Sequence, residues 1–452
     1  MALDVKSPGD DECLEKGVRH LCELGVTRVP RKYVLPAAER PSLGSGAARV
    51  QSHLEDISAG RVAINLPIVD LAELEGPNRE NALKSLAAAC SEHGFFQLIN
   101  HGIPDELIGA MIDVSRRFFE LPFSERSRYM TSEITTPVRY GTSFNQRSDG
   151  VYCWRDFLKL GCHPLRQYLP FWPCSPIDLS QRFQKTQSTT EPRQNKKEAS
   201  SINRPWAWKQ KHGPAEIINT STTTTKQKKK KSKKVERINL QCFQFVFRLP
   251  MFSAYTEAVG SYAKHTRSLF LKLAGSIVES LGISPSSSSS SWGEIMRELQ
   301  EGSQLLVMNC YPSCPQPELT LGMPPHSDYG FLTLLLQDGV AGLQVQQQGR
   351  WVDVQPFKGS FVVNVGDHLE IFSNGKYKSV LHRVVVNSSM SRISAASLHS
   401  LPFSSAVRPA PELVDEQHPR MFKDTDFSTF LNYLNSCEAK SKNFLESRKL
   451  VS

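Results

Sequence analysis

In the stretch PPHSDYGFLTLLLQD (324–338), His326 and Asp328 stand two residues apart at the entrance to an apolar segment. Side chains at positions i and i+2 of an extended chain point to one face, so this imidazole and carboxylate can converge on one point. His382, in KSVLHRVVVN and flanked by β-branched residues, is the best third partner. Two histidines and one carboxylate on one side of an ion leave its opposite positions open. Such a set suits Fe(II), with a chelating small molecule and O2 in the open positions. Blander readings stand beside it. A His-x-Asp pair also caps turns, a lone histidine on an apolar strand is often a satisfied core residue, and zinc hydrolases use similar ligands.

A second set lies just beyond. In SRISAASLHSLPF, Arg392 follows His382 by 10 residues, across the turn NSSMS, so it falls on a neighbouring strand. Arg392 and Ser394 share a face there. A guanidinium in an apolar strand requires an anionic partner, because an unpaired buried charge is costly. A carboxylate gripped by the planar fork satisfies it. Tyr311, in NCYPSCPQPE, adds a phenol from an adjacent strand end. Together these residues make a site for a dicarboxylate that chelates the metal at one end and meets Arg392 at the other.

The elements that must position these groups can be read from pattern. From residue 304 to 403 short apolar runs are punctuated by Gly, Pro, Asn and Ser: QLLVMNCY, LTLLLQD, GLQVQQ, WVDVQP, SFVVNVG, SVLHRVVVN and ISAASLHSLPF. Such spacing predicts an antiparallel barrel or jelly roll. Before it, INLPIVDLAEL and FFQLINHGIP read as strands. CLEKGVRHLCELG, NRENALKSLAAACSEHG, ELIGAMIDVSRRFFELP and YTEAVGSYAKHTRSLFLKLAGSIVESLG read as helices. The expected divisions are an N-terminal helical extension (1–63), a mixed domain (64–179), an insert (180–248), a helical connection (249–301), the jelly roll (302–404) and a C-terminal helical segment (405–452).

Charge separates the insert from the rest. The formal net charge is +9, yet residues 180–248, with KQKKKKSKK, carry +13, leaving −4 on the remainder. The basic signal is therefore one segment, low in apolar content and expected to be disordered. Without aromatic interleaving it argues against nucleic acid, though an exposed lysine run would be compatible with nuclear entry. Ten cysteines without a CxxC pair point to reduced thiols. The start MALDVKSPGDDECLEKG lacks the apolar stretch of a secretory signal, and no run is long enough for a membrane span, so cytoplasm is the expectation.

Several longer stretches carry a likeness beyond these patterns: LGVTRVPRKYVLPAAERP, LPIVDL, HGFFQLINHGIP, NCYPSCPQPELTLGMPPHSD, GDHLEIFSNGKYKSVLHRVVVN and RISAASLHSLPF. With them the chain resembles the plant 2-oxoglutarate- and Fe(II)-dependent dioxygenases, the soluble family of flavanone 3-hydroxylase, anthocyanidin synthase and gibberellin oxidases. The likeness covers nearly everything outside 180–248, which the family usually lacks. It implies an α+β fold, a double-stranded β-helix (jelly roll) with packed helices and an N-terminal mixed α/β domain. It implies Fe(II) on His326, Asp328 and His382, and 2-oxoglutarate on Arg392, Ser394 and Tyr311. O2 as oxidant, ascorbate as reductant, a small-molecule substrate and a monomer follow from the same likeness. The nearest branch is flavanone 3-hydroxylase-like and salicylate hydroxylase-like, suggested by FFELPFSERSRYM and SNGKYKSVLHRVVVN. Tyr140, Phe144, Phe331, Leu398 and Phe403 are the expected lining of an aromatic substrate pocket. His368, where the family commonly has glutamine, is expected to lie behind a ligand or at the surface. An inert binding relative and a hormone-acid (gibberellin-type) oxidase are the alternatives.

Overall fold

The structure is a computed structural model that describes residues 16–41, 63–143, 149–173, 253–285, 291–436 and 444–450. Two units separate, Met1–Pro173 with Tyr255–Ser452, and Cys174–Ala254. The insert expected to be disordered, most of the six-serine run at 286–291 and Phe144 lie outside the described residues. All the described strands belong to the first unit.

The described part of this unit opens with a short helix α1 (Val18–Glu23), then β1 (Ala63–Ile64) and β2 (Ile68–Asp70). The helix α2 (Leu71–Glu75) interrupts what the apolar pattern suggested was one strand to residue 74. The reason is local: the Asp70 carboxylate accepts the Ala72 N–H at 2.9 Å and starts a turn of good helix formers. Then come α3 (Arg79–Ala88), β3 (Phe95–Ile99), α4 (Asp105–Glu120), β4 (Val138–Thr142) and β5 (Asp156–Gly161). The long α5 (Ser253–Ser280) and α6 (Ser291–Glu301) lead into the strand-rich half.

That half contains β6 (Ser303–Tyr311), β7 (Met323–His326), β8 (Leu332–Gln337), β9 (Leu343–Gln347), β10 (Arg350–Val354) and β11 (Phe361–Val365). The helix α7 (Asp367–Phe372), β12 (His382–Val384), β13 (Arg392–Ser400), α8 (Phe427–Ser436) and α9 (Phe444–Arg448) complete it. The minor sheet runs β1-β10-β9-β12-β7 and the major sheet β2-β3-β11-β8-β13-β6-β5-β4. Four strands of each, β10-β9-β12-β7 and β11-β8-β13-β6, form the jelly roll; the N-terminal strands extend both sheets.

Strand alternation sorts the two faces of the major sheet. On β13, Ile393, Ala395, Ser397 and His399 are buried on the side where Val259, Phe270, Leu273 and Ile277 of α5 build the main core. Arg392, Ser394, Ala396 and Leu398 therefore face the other way, into the barrel. FVVNV of β11 is buried along its whole length, and Asn364 is its one polar residue. Among the described residues no helix is long and apolar enough to cross a membrane.

Candidate functional site

His326 closes β7 and His382 opens β12, and the two are direct cross-strand partners. Their ring centroids lie 4.1 Å apart. Asp328 turns back towards them from the loop before β8. Its Oδ1 is 3.7 Å from His326 Nε2 and 3.8 Å from His382 Nε2. All three donor atoms lie within 4.8 Å of one another.

The surroundings determine which atoms are presented. His326 Nδ1 donates to the Pro324 carbonyl at 2.9 Å, and His382 Nδ1 to the Val380 carbonyl at 3.3 Å. A carbonyl can only accept, so each Nδ1 carries the hydrogen and each Nε2 offers its lone pair. Asp328 Oδ2 accepts from Thr333 Oγ1 at 2.5 Å and from Asn364 Nδ2 at 2.7 Å. Thr333 and Asn364 are partners on β8 and β11 of the major sheet. Burial by itself would raise the Asp328 carboxyl. The positive charge of the His382 and His326 rings in their protonated form, then the two hydrogen bonds, outweigh that and hold it below the usual carboxylate range. The separations of 3.7 and 3.8 Å are too long for hydrogen bonds. Three donors converging at such separations fit a cation, and two imidazoles with one carboxylate fit Fe(II).

Arg392 lies across β13 from Tyr311 on β6, and Ser394 lies between Asn309 and Gln337. Arg392 is 3% exposed. Its Nε donates to the Val340 carbonyl at 3.1 Å, Nη2 to Gln337 Oε1 at 2.9 Å and Nη1 to Ser394 Oγ at 3.4 Å. The Tyr311 ring centre is 5.1 Å from its Cζ. No carboxylate among the described residues lies within ion-pair reach of it. A buried guanidinium held only by neutral acceptors fits an anionic ligand, and a carboxylate is its natural complement. Two glycines make room. A Cβ on Gly322 would fall 2.6 Å from the Tyr311 ring, and one on Gly342 only 3.2 Å from Arg392 Cδ.

The five expected pocket residues fall in different places. Leu398 is half-buried on the Arg392 face, opposite Thr333. Tyr140 belongs to the core instead: it packs on Phe118 and Phe119, and its hydroxyl donates to buried Asp156 at 2.7 Å. Phe331 is also core, against Phe270 and Phe372. Tyr140 lies in β4 (VRYGT) and Phe331 just before β8, so residue type alone did not show which way either ring turns. Phe403 is 41% exposed and packs on Phe427 of α8. That helix also covers the ligand loop, where Tyr329 stacks on Phe430 at 4.0 Å. His368 is buried, not at the surface, with Nδ1 2.7 Å from Ser400 Oγ, and it lies outside the three-donor cluster.

Sequence reasoning missed Thr333, Asn364 and Asn309. The first two reach Asp328 from other strands, and nothing local marks them. Asn309 was accessible, since it precedes Tyr311 by two residues on the same strand and shares its face.

Comparison with known proteins matches the two halves of this architecture. Residues 66–175 match the "non-haem dioxygenase in morphine synthesis N-terminal" family, and residues 302–400 the "2OG-Fe(II) oxygenase superfamily". Protein DMR6-LIKE OXYGENASE 1 of Arabidopsis thaliana is 34% identical over 389 residues, 86% of this chain and 84% of that protein. Flavanone 3-dioxygenase 2 of Oryza sativa subsp. japonica is 32% identical over 404 residues, 89% of each. Among solved structures, JOX2 in complex with 2OG, Fe and JA superposes with a TM-score of 0.66 at 24% identity, covering 96% of this chain and 98% of that one. That likeness concerns the fold.

Proposed function

The chain belongs to the 2-oxoglutarate- and Fe(II)-dependent oxygenase superfamily, and from that premise we propose that His326, Asp328 and His382 hold the iron while Arg392, Ser394 and Tyr311 hold 2-oxoglutarate. It is a 2-oxoglutarate-dependent dioxygenase. Its substrate, in this reading, is a small phenolic or flavonoid-type metabolite that it hydroxylates or desaturates, with ascorbate as reductant.

The observation that carries the proposal is the pairing of two complementary sets on opposite walls of one barrel. Three convergent donors suit a cation, and a buried guanidinium held by neutral groups suits an anion. A dicarboxylate that chelates the ion at one end meets both needs. Iron with 2-oxoglutarate and O2 supplies the oxidising power, with loss of CO2 and succinate. The chain's own residues orient and exclude. The carbonyls of Pro324 and Val380 fix the imidazole tautomers, Thr333 and Asn364 fix the carboxylate, and Arg392 fixes the far end of the cosubstrate. Half-buried Leu398 offers apolar surface beside them, as a small aromatic substrate requires.

The name of the rice relative, flavanone 3-dioxygenase 2, supports the flavonoid-type reading. The test is 2-oxoglutarate turnover with and without naringenin, salicylate and a gibberellin. Stimulation by naringenin or salicylate is expected. Stimulation by the gibberellin alone would reverse the substrate assignment.

A further inference from the structure

A second buried guanidinium lies on the cosubstrate wall. Arg155, 4% exposed, stands immediately before β5. Its partners are all neutral. Nη1 donates to Asn309 Oδ1 at 3.2 Å and rests 2.6 Å from Met323 Sδ, and Nη2 donates to the Ser143 carbonyl at 2.8 Å. The Phe157 ring centre lies 4.9 Å from its Cζ. Its Nε is buried without a partner, and no carboxylate among the described residues is within ion-pair reach of it.

Asn309 connects this cation to the site. Its cross-strand partners are Phe157 on one side and Ser394 on the other, so it faces the barrel beside Arg392 and Tyr311. A guanidinium has donors only, so the Asn309 atom that faces it must be the oxygen. The Nδ2 group is thereby turned away from Arg155. One of its hydrogens bonds the Val307 carbonyl at 3.3 Å, leaving the other to donate. Without Arg155 only the 3.3 Å bond to the Val307 carbonyl would oppose the flipped carboxamide, which aims an acceptor at an anionic ligand.

The backbone is held to the same end. Ser143 has φ +60°, a left-handed value that is unfavourable for a residue with a Cβ. Its N–H donates to the Arg155 carbonyl at 3.3 Å while its own carbonyl accepts from Arg155, so the two residues fix one another. Strain of this kind persists only where the surroundings over-determine it.

We propose that Arg155 is a positioning residue for 2-oxoglutarate. It fixes the Asn309 carboxamide so that Nδ2 donates towards the cosubstrate beside Arg392. The inference rests on the assignment of Arg392 to the cosubstrate site.

A double-mutant cycle tests it, with Arg155→Met and Asn309→Leu alone and together. The readouts are calorimetric binding of 2-oxoglutarate to the Mn(II)-loaded protein, and KM against kcat with Fe(II). Arg155→Met is expected to weaken 2-oxoglutarate binding roughly 10-fold, the scale of one hydrogen bond to a charged group. Mn(II) affinity should not change, and kcat at saturating 2-oxoglutarate should be largely kept. In the Asn309→Leu background the same change should add less than about twofold, since residues acting as a unit are non-additive. Arg155→Lys keeps the charge without the fork, so it should fall between the two and serves if the methionine variant does not fold. Full additivity, or weakened binding of the primary substrate with that of 2-oxoglutarate unchanged, would overturn the proposal, as would a lower melting temperature alone. Arg392→Lys run in parallel separates the two assignments. If it leaves 2-oxoglutarate binding intact, the site itself is misplaced; if it weakens binding while the cycle is additive, only the role of Arg155 fails.

Discussion

On the minor sheet, each histidine of the site is oriented by a carbonyl two residues back in its own chain, Pro324 for His326 and Val380 for His382. On the major sheet, Arg392 is held mainly by groups distant in sequence, Gln337 and the Val340 carbonyl, with Ser394 two residues on, and none of them is charged. The first wall is a metal site assembled locally, and its donors are oriented by the protein itself. The second, in the proposed reading, is an anion site defined by the neutrality of its surroundings. Asp328 joins the two: its Oδ1 faces the histidines, and its Oδ2 is held by Thr333 and Asn364 of the opposite sheet.

If the minor sheet is the metal wall, removing its carboxylate should have the largest effect. Asp328→Ala is expected to lose iron and turnover by more than the ~10–100-fold typical when only a partner of a ligand is removed. Metal content and succinate release check this together. Near-normal activity would dissolve the distinction between the walls.

The major sheet should respond differently. Arg392→Lys is expected to retain iron and to raise the requirement for 2-oxoglutarate, because an ammonium cannot reproduce the bidentate grip. A hydrogen bond to a charged group contributes roughly 1.5–3 kcal/mol, or about 10- to 150-fold in affinity. An unchanged 2-oxoglutarate dependence would remove Arg392 from the site.

Asn364 sharpens the comparison, because it stands on the major sheet but acts on the metal wall. Asn364→Leu removes one donor from Asp328 Oδ2 and leaves Thr333. The expectation is a loss of about 10-fold in metal affinity, the low end for such a partner, with the KM for 2-oxoglutarate unchanged at saturating metal. A larger effect on 2-oxoglutarate than on metal would show the walls to be one site rather than two joined ones.

These differences also explain what could be read in advance. His326 and Asp328 are two apart on an extended chain, and Arg392 and Ser394 likewise, so the period of two aligned each pair before any fold was known. Most of the jelly-roll strands were legible from pattern as well. β4 and β5 were not: VRYGT and DFLKLG carry charge and glycine, and their pairing with β6 decides their conformation. β7, with sequence MPPH, contains two prolines and reads as a turn until β12 pairs with it. Aromatic residues were the least legible. Tyr140 and Phe331 went to the core, because a ring satisfies either face of a sheet and nothing local decides between them.

The smallest effect on turnover is expected from a basic side chain that met burial in the other way. His368, on α7, is as enclosed as Arg392, with the Ser400 hydroxyl and the Tyr329 ring beside it. Arginine cannot discharge, so Arg392 requires an anion; histidine can, so His368 requires none. Burial pushes the His368 pKa down to about 3. In the unfolded chain it returns to roughly 6.5. Between these values the unfolded state binds a proton that the folded state refuses. Stability is therefore lost as pH falls from about 6.5 towards 3, with a slope of at most ~1.4 kcal/mol per pH unit for one group, and is unaffected above about pH 7. His368→Gln keeps a donor for Ser400 and removes the titration. Denaturant unfolding of wild type and variant at pH 5 and pH 7.5 should show a smaller acid-induced loss in the variant, while turnover at pH 7.5 stays within about twofold. An equal loss in both proteins would mean that His368 takes up its proton in the folded state. The contrast with Arg392 would then rest on something other than discharge.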